Sequence, residues 1–468
     1  MRAHTAVSLG FLGAAALAAA CSNDSVTFPR TGPVDRVELS PGAASIAESD
    51  TLRFRAIPRD SSGTIVPRTR AEWRSSQPNV ATIDSLGFVR ALMAGRSEIT
   101  ARVDTVVGRA TVIVLPRANA AFVRIAAGAE HTCAVTGAGS VYCWGGNTFG
   151  QLGSGNTASS ATPVRAAGIE AADVATGVRH TCVADPGSGA WCWGSNSAGQ
   201  LGDESPGQKV HPAAVPSIAV ERIIAIAAGS GHSCALAHDG VAFCWGSNTL
   251  GQLGRGTAAG VLGPLEVAGN HRFISIATGQ AHACGVTIDG IVLCWGWNQF
   301  GQLGSESTGS CAHDGAPCST SPQPIAGTLR FRAVTAGYGH TCALDESNAA
   351  WCWGTNEEGQ LGDGTRAPSS VPVRVRGPAL VQIDAGDRHV CGITEPGAAY
   401  CWGLNLNGQL GSSQPVSSPT PLPVAIEPLS RISAGTSHTC ALTTAGRVRC
   451  WGDAADGRLG AGLRAQIR

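Results

Sequence analysis

Apolar and polar residues alternate in short runs from residue 34 onward. The runs are Val34–Leu39, Thr51–Ile57, Ser97–Val103 and Gly108–Val114. Alternation with a period of two places one face of each run in a core and the other in water, the pattern of half-buried β-strands. Short strands of this kind over residues 34–115 predict a β-sandwich. From residue 118 the pattern changes to a recurring unit. Its first copy has an apolar run, Val123–Gly128, then His131–Val135, a turn at Thr136–Gly139, and a second run at Val141–Gly145. Two β-rich runs about a glycine turn read as a hairpin. Asp239-Gly240 and Asp289-Gly290 in later copies are strong hairpin turns. The fold class is all-β throughout.

The recurring unit carries a fixed signature, His-x-Cys-x9-Cys-Trp-Gly, seven times over. Its histidines are His131, His180, His232, His282, His340, His389 and His438, in steps of 49 to 58 residues. A period near 50 marks a propeller or an array. Gly-Gln-Leu-Gly follows each hairpin from Gly150 to Gly411, with Gly457-Arg458-Leu459-Gly460 in the last unit. The leucine is expected to enter the core. An asparagine three residues before, from Asn147 to Asn405, is expected to cap local backbone groups.

The two cysteines of each unit stand ten residues apart about the turn. Opposed strand positions bring Cβ atoms within roughly 4.5–5.5 Å, near disulfide range. The expected bridges are Cys133–Cys143, Cys182–Cys192, Cys234–Cys244, Cys284–Cys294, Cys342–Cys352, Cys391–Cys401 and Cys440–Cys450. Of 17 cysteines this leaves Cys21, Cys311 and Cys318. The last two are expected to close a small surface loop. Zinc is the competing use of a His-x-Cys pair. It fails on spacing, on missing fourth ligands and on a need for seven metals. No metal and no cofactor are expected, and the histidines are read as buried scaffold.

Charge is sparse and balanced, 33 basic against 33 acidic residues. Nucleic-acid binding draws its affinity from a basic excess, and none is present. Residues 1–20 have Arg2, then an apolar stretch ending in Ala18-Ala19-Ala20 before Cys21. This is read as a secretory signal, too short and too polar in its sequel to span a membrane. Cys21 directly after the small residues resembles a bacterial lipobox, although Leu17 sits four rather than three places before it. The implied outcome is cleavage before Cys21, acylation of its thiol, and a tether over residues 21–33. Export agrees with the even cysteine count, since disulfides persist in oxidising compartments.

Two family resemblances follow. The run from Glu72-Trp73 through Val80-Ala81-Thr82-Ile83-Asp84 to Gly87 and Ala94-Gly95 resembles the bacterial Ig-like group 2 domain, which implies a spacer or adhesion module over 34–115. The repeated Cys-Trp-Gly and Gly-Gln-Leu-Gly units resemble the regulator of chromosome condensation repeat family, which implies a seven-bladed β-propeller over 118–468. A propeller must close to remove its open edges. Residues 116–122 are expected to pair with the final blade, with 463–467 as the other segment able to fill that place.

No nucleophile elbow, zinc-protease, phosphate-loop or calcium-loop motif occurs. Repeat length varies most between the fourth and fifth units. The insertion there makes His313 and Asp314, with Trp297 nearby, the candidate ligand loop. A second irregular loop spans Asp203–His211. The reading is a monomeric, non-enzymatic scaffold, exported and lipid-anchored, that recognises a protein or glycan at the cell envelope or outer membrane surface. The family resemblance also implies guanine-nucleotide exchange as an alternative, and a propeller-based hydrolase or lyase is a further one.

Overall fold

The computed structural model describes residues 32–460 apart from 49, 68–69, 116–120, 186, 188, 206, 219–221, 306–308, 312–314 and 414. The stretch read as a signal peptide, Cys21 and the expected tether up to residue 31 therefore lie outside the described residues, as do His313, Asp314 and 463–467.

Residues 32–115 form the sandwich. One sheet orders Ala43–Ala47, Val106–Leu115, Gly95–Val103 and Glu72–Ser75. Smaller sheets pair Arg36–Ser40 with Arg55–Arg59, and Phe88–Ala91 with both Thr51–Arg53 and Ala81–Ile83. Phe54, Val89, Ile99 and Val112 lie in its core, and Trp73 packs against that core from a partly exposed position. The single run expected at 51–57 is divided. At Phe54 the chain leaves one sheet for another, its N–H bonded to Gly87 O at 2.8 Å and its ring 1% exposed. Burying that ring is what the break achieves.

Seven sheets follow around an axis. The first blade runs outward through Phe122–Ala127, His131–Thr136, Ser140–Gly145 and Ser160–Glu170. The fourth blade gains a fifth strand, Gly309–Ser310, from the insertion. The seventh has three strands among the described residues. The segment expected to pair with it, 116–122, is described only at Ala121 and Phe122. Phe122 opens the innermost strand of the first blade, packs against the core it shares with the seventh, and bonds Gly446 O through its N–H. Residues 116–120 are outside the described part.

The register inside each hairpin explains the signature residue by residue. In the first blade His131 faces Gly145, Thr132 faces Trp144 and Cys133 faces Cys143. The same three pairings recur in the other six blades. Where the fourth strand is described, its pairing shifts register at the tryptophan between the second cysteine and the glycine. The glycine after each tryptophan has φ between 96° and 110°, which excludes other residues at low cost.

Alternation then gives each blade two different faces. Every propeller core is an interface between neighbours. The Cys133–Cys143 pair and Leu152 of the first blade pack on Val174, Val183 and Trp193 of the second. Cys440, Cys450 and Leu459 of the seventh pack on Ala134 and Trp144 of the first, which closes the ring. At the axis the innermost strands meet at seven glycines, Gly128, Gly177, Gly229, Gly279, Gly337, Gly386 and Gly435. A Cβ on Gly128 would stand 2.6 Å from Gly177 O, and one on each of the others would likewise overlap the next glycine's carbonyl.

Candidate functional site

Sulfur bridges join the two cysteines of all seven signatures, with Cα–Cα distances of 4.1 or 4.2 Å. All fourteen sulfurs belong to fully buried residues. Chain entropy assigns such ten-residue loops roughly 2–3 kcal/mol each.

Beside each bridge the histidine reaches across to the next blade. His131 Nε2 lies 2.8 Å from Thr181 Oγ1, and Thr181 Oγ1 donates to the Gln151 carbonyl at 2.8 Å. The hydroxyl has one proton and gives it to the carbonyl. It therefore accepts from Nε2–H, which fixes the tautomer. His180 with Ser233, His282 with Thr341, His389 with Thr439 and His438 with Thr132 repeat the relay. The carbonyl at its end also accepts the tryptophan Nε1 of the next blade, from Trp193 on Gln151 to Trp451 on Gln409. In the last unit Arg458 replaces glutamine. Its carbonyl accepts from Thr132 and Trp144 of the first blade, and its guanidinium donates to Ala129 O at 2.9 Å. The atypical final repeat thus closes the ring.

Two links of this relay are missing. Ala283 and Val390 stand where the hydroxyl belongs, and among the described residues His232 Nε2 and His340 Nε2 are buried without a hydrogen-bond partner. The sequence expectation of hydrogen-bonded histidines holds for five rings and not for these two.

Burial keeps all seven rings neutral. It pushes His131, His180, His282, His389 and His438 down to about 3, and His232 and His340 to about 4. The Arg458 charge adds to this at His131 and His438. None of the seven has solvent access, so they are framework.

Other polar groups line the axis. Asp173 is raised to about 6 by burial, against the pull of Arg124 at 3.6 Å. Burial also raises Asp384, which accepts from Thr335 Oγ1 and Ala434 N, and Asp387 beside Thr436. A cavity of about 150 Å³ opens at the glycine ring, bordered by Gln280, Tyr338 and Asp387. Among the described residues no group of three or more histidine, cysteine or acidic side chains is placed to hold a metal.

The insertion is a hairpin closed by Cys311–Cys318, with Cα atoms 5.8 Å apart. Cys318 is paired opposite Trp297. Trp297 packs edge-on against Phe300 and Tyr338, at ring separations of 5.1 and 5.9 Å. Phe300 and Tyr338 were not singled out from sequence, although each is an aromatic residue at a repeat position that mostly holds smaller or polar ones. The Asp203–His211 loop is tied down by Asn196 on Asp203 at 3.1 Å and by Lys209 on Asp203 at 3.4 Å. The repeat asparagines cap their loops as expected. Asn147 Oδ1 accepts Leu152 N, and its Nδ2 donates to Asn156 O and Ala158 O.

These features define a seven-bladed β-propeller with a disulfide in every blade, preceded by an Ig-like sandwich. Residues 138–184, 189–236, 239–286, 289–344, 347–393 and 396–442 match the regulator of chromosome condensation (RCC1) repeat, and the chain belongs to that family. Residues 33–114 match the bacterial Ig-like domain (group 2). The E3 ubiquitin-protein ligase HERC2 of Mus musculus is 30% identical over 248 residues, 52% of this chain and 5% of the ligase. The ultraviolet-B receptor UVR8 of Arabidopsis thaliana is 29% identical over 262 residues, 55% of this chain and 58% of the receptor. The chain thus spans a small part of the ligase and a little over half of the receptor. Human WBSCR16 superposes with a TM-score of 0.64 at 21% identity, covering 74% of this chain and 92% of its own. Prp20p of Saccharomyces cerevisiae gives 0.61 at 21%, covering 79% and 90%. Both show the fold.

The relay predicts opposite effects of two substitutions. Val390→Thr supplies the missing hydroxyl to His340 and should stabilise by about 1 kcal/mol. Thr181→Val strands His131 Nε2 and should cost about 1–3 kcal/mol. Urea denaturation of the oxidised protein reads both as shifts of the midpoint.

The neutral histidines also predict acid lability. In the unfolded chain they protonate near 6.5, in the folded one only near 3 to 4. Their contribution is complete above pH 6.5 and is lost as pH falls from there toward 4. Each proton contributes about 1.4 kcal/mol per pH unit. Asp173, Asp384 and Asp387, raised by burial, act in the opposite sense but number three against seven. Denaturation midpoints should therefore fall steeply between pH 6 and pH 4.

Proposed function

We propose that this chain is an exported binding scaffold, held at the cell envelope by a lipid on Cys21, whose Ig-like module presents a rigid propeller to a protein or glycan. The observation that carries this reading is the bridge in every blade. Fourteen buried cysteines, all oxidised, suit a compartment outside the reducing cytosol. The lipobox-like sequence supplies the export route and the anchor. Cleavage after residue 20 leaves residues 21–33 as the tether, 34–115 as the module and 118–468 as the propeller. The insertion that carries His313 and Asp314 in sequence, together with the Trp297–Phe300–Tyr338 group, is a candidate contact surface for the ligand.

A non-catalytic role agrees with the chemistry of the titratable groups. Five of the displaced histidines are locked in interblade bonds and the other two are buried beside them, and the displaced aspartates bond to backbone and hydroxyl groups. Exchange activity has little support here. Yeast Prp20p has binding properties toward Gsp1p and histones, but it shares only the fold with this chain, at 21% identity. An exported, disulfide-closed chain does not meet a cytosolic GTPase.

Expression in a bacterium with a lipoprotein export pathway tests the reading. The full chain should incorporate labelled palmitate and sediment with membranes, and Cys21→Ala should release it into a soluble, unacylated, exported form. A chain that remains cytosolic and unlabelled would contradict both export and anchoring.

A further inference from the structure

The sandwich is fastened to the first blade. Tyr142 Oη donates to both Glu48 oxygens at 2.9 Å, and Glu48 Oε1 also accepts Ala94 N at 2.8 Å. Tyr142 is 2% exposed. Its aromatic counterparts in other blades, Trp191, Phe243, Trp351 and Tyr400, are all partly exposed. Burial and the neighbouring carboxylate push the Tyr142 hydroxyl up, which keeps it a donor. The Phe122 ring supports it edge-on at 6.0 Å.

This contact leaves a cleft of about 650 Å³ between the modules. It falls within the roughly 300–1,000 Å³ of small-molecule sites, which favour domain interfaces. Gln77 and Asn79 of the sandwich and Ser154 of the propeller line it, and among the described residues their side chains make no hydrogen bond. Arg96 and Arg165 also line it, one from each module. Arg165 stands opposite Tyr142 in the strand pairing. Its Nε is buried and has no partner among the described residues. Arg165 is itself partly exposed, so the rest of its guanidinium is open to an acceptor in the cleft. One carboxylate, Glu98, also lines the cleft and is paired with Arg109, while Glu48 is held by Tyr142.

We propose that the cleft between the sandwich and the first blade binds an acidic oligosaccharide, with Arg165 and Arg96 on its carboxylates and Gln77, Asn79 and Ser154 on its hydroxyls. Planar guanidinium groups pair well with carboxylates. The lining includes Val80, Met93 and Ile113, which offer apolar surface to sugar C–H faces, and among the described residues no aromatic side chain that would seat a peptide's anchor. This site deepens the envelope-binding reading and rests on it.

Titration of the oxidised protein with tetragalacturonate tests the site, with a neutral cello-oligosaccharide and a poly-glutamate peptide as comparators. Tetragalacturonate should bind best. Arg165→Gln should weaken it about tenfold, the equivalent of one charge-assisted contact. Tyr142→Phe, outside the sugar contacts, should weaken it as well by freeing the sandwich, with the propeller's thermal midpoint retained. Binding unchanged in both variants, absent altogether, or matched by poly-glutamate would overturn the proposal. An acylated, exported chain with no tetragalacturonate binding would overturn the cleft alone. A cytosolic chain that still binds would instead sink the envelope reading.

Discussion

A single hairpin register underlies the propeller. Histidine stands opposite glycine, a small residue opposite tryptophan, and cysteine opposite cysteine. A slip by one residue would send every one of these side chains to the wrong face. The bridge forbids that slip. It holds the histidine and disulfide toward the next blade and the tryptophan toward the previous one. Each interface then repeats one set of contacts, and the last repeat meets the first through Arg458. The propeller has few charges to spend on its interior, and it uses neutral histidines and hydroxyl relays there instead. That choice makes the ring rigid near neutrality and ties its integrity to pH and to the redox state of its surroundings.

The repeat was legible because its determinants are local. Strand alternation, the Asp-Gly turns and the ten-residue cysteine spacing all lie within one hairpin. The capping asparagines and the plug leucines were legible for the same reason. What the sequence did not reveal joins residues about 50 or more positions apart. The partner of His131 is Thr181, and nothing near either residue announces the other. The two histidines left without partners could be read only after the relay was seen, from Ala283 and Val390. The division of the 51–57 run at Phe54 and the Tyr142–Glu48 contact have the same origin, since both depend on how sheets and modules pack. The glycine ring has the same origin, since its cause is the approach of neighbouring strands at the axis.

Function divides along the same line. The ring's chemistry is spent on holding the blades together, so recognition falls to surfaces where the repeat is broken. They include the disulfide-closed insertion beside Trp297, and the first blade, where the Ig-like sandwich covers Tyr142 and Arg165 lines a cleft. A propeller of identical blades offers no such place. The departures from the pattern, rather than the pattern, mark where a ligand can be told from any other.

Oxidised cysteines in every blade are the foundation of both the fold's rigidity and its proposed compartment. Native protein should be denatured without reductant, treated with iodoacetamide and weighed intact. None of the sixteen cysteines from Cys133 to Cys450 should take up the reagent, and all sixteen should do so after reduction. Alkylation of the fourteen blade cysteines before reduction would contradict the bridges, and with them the compartment and the scaffold role.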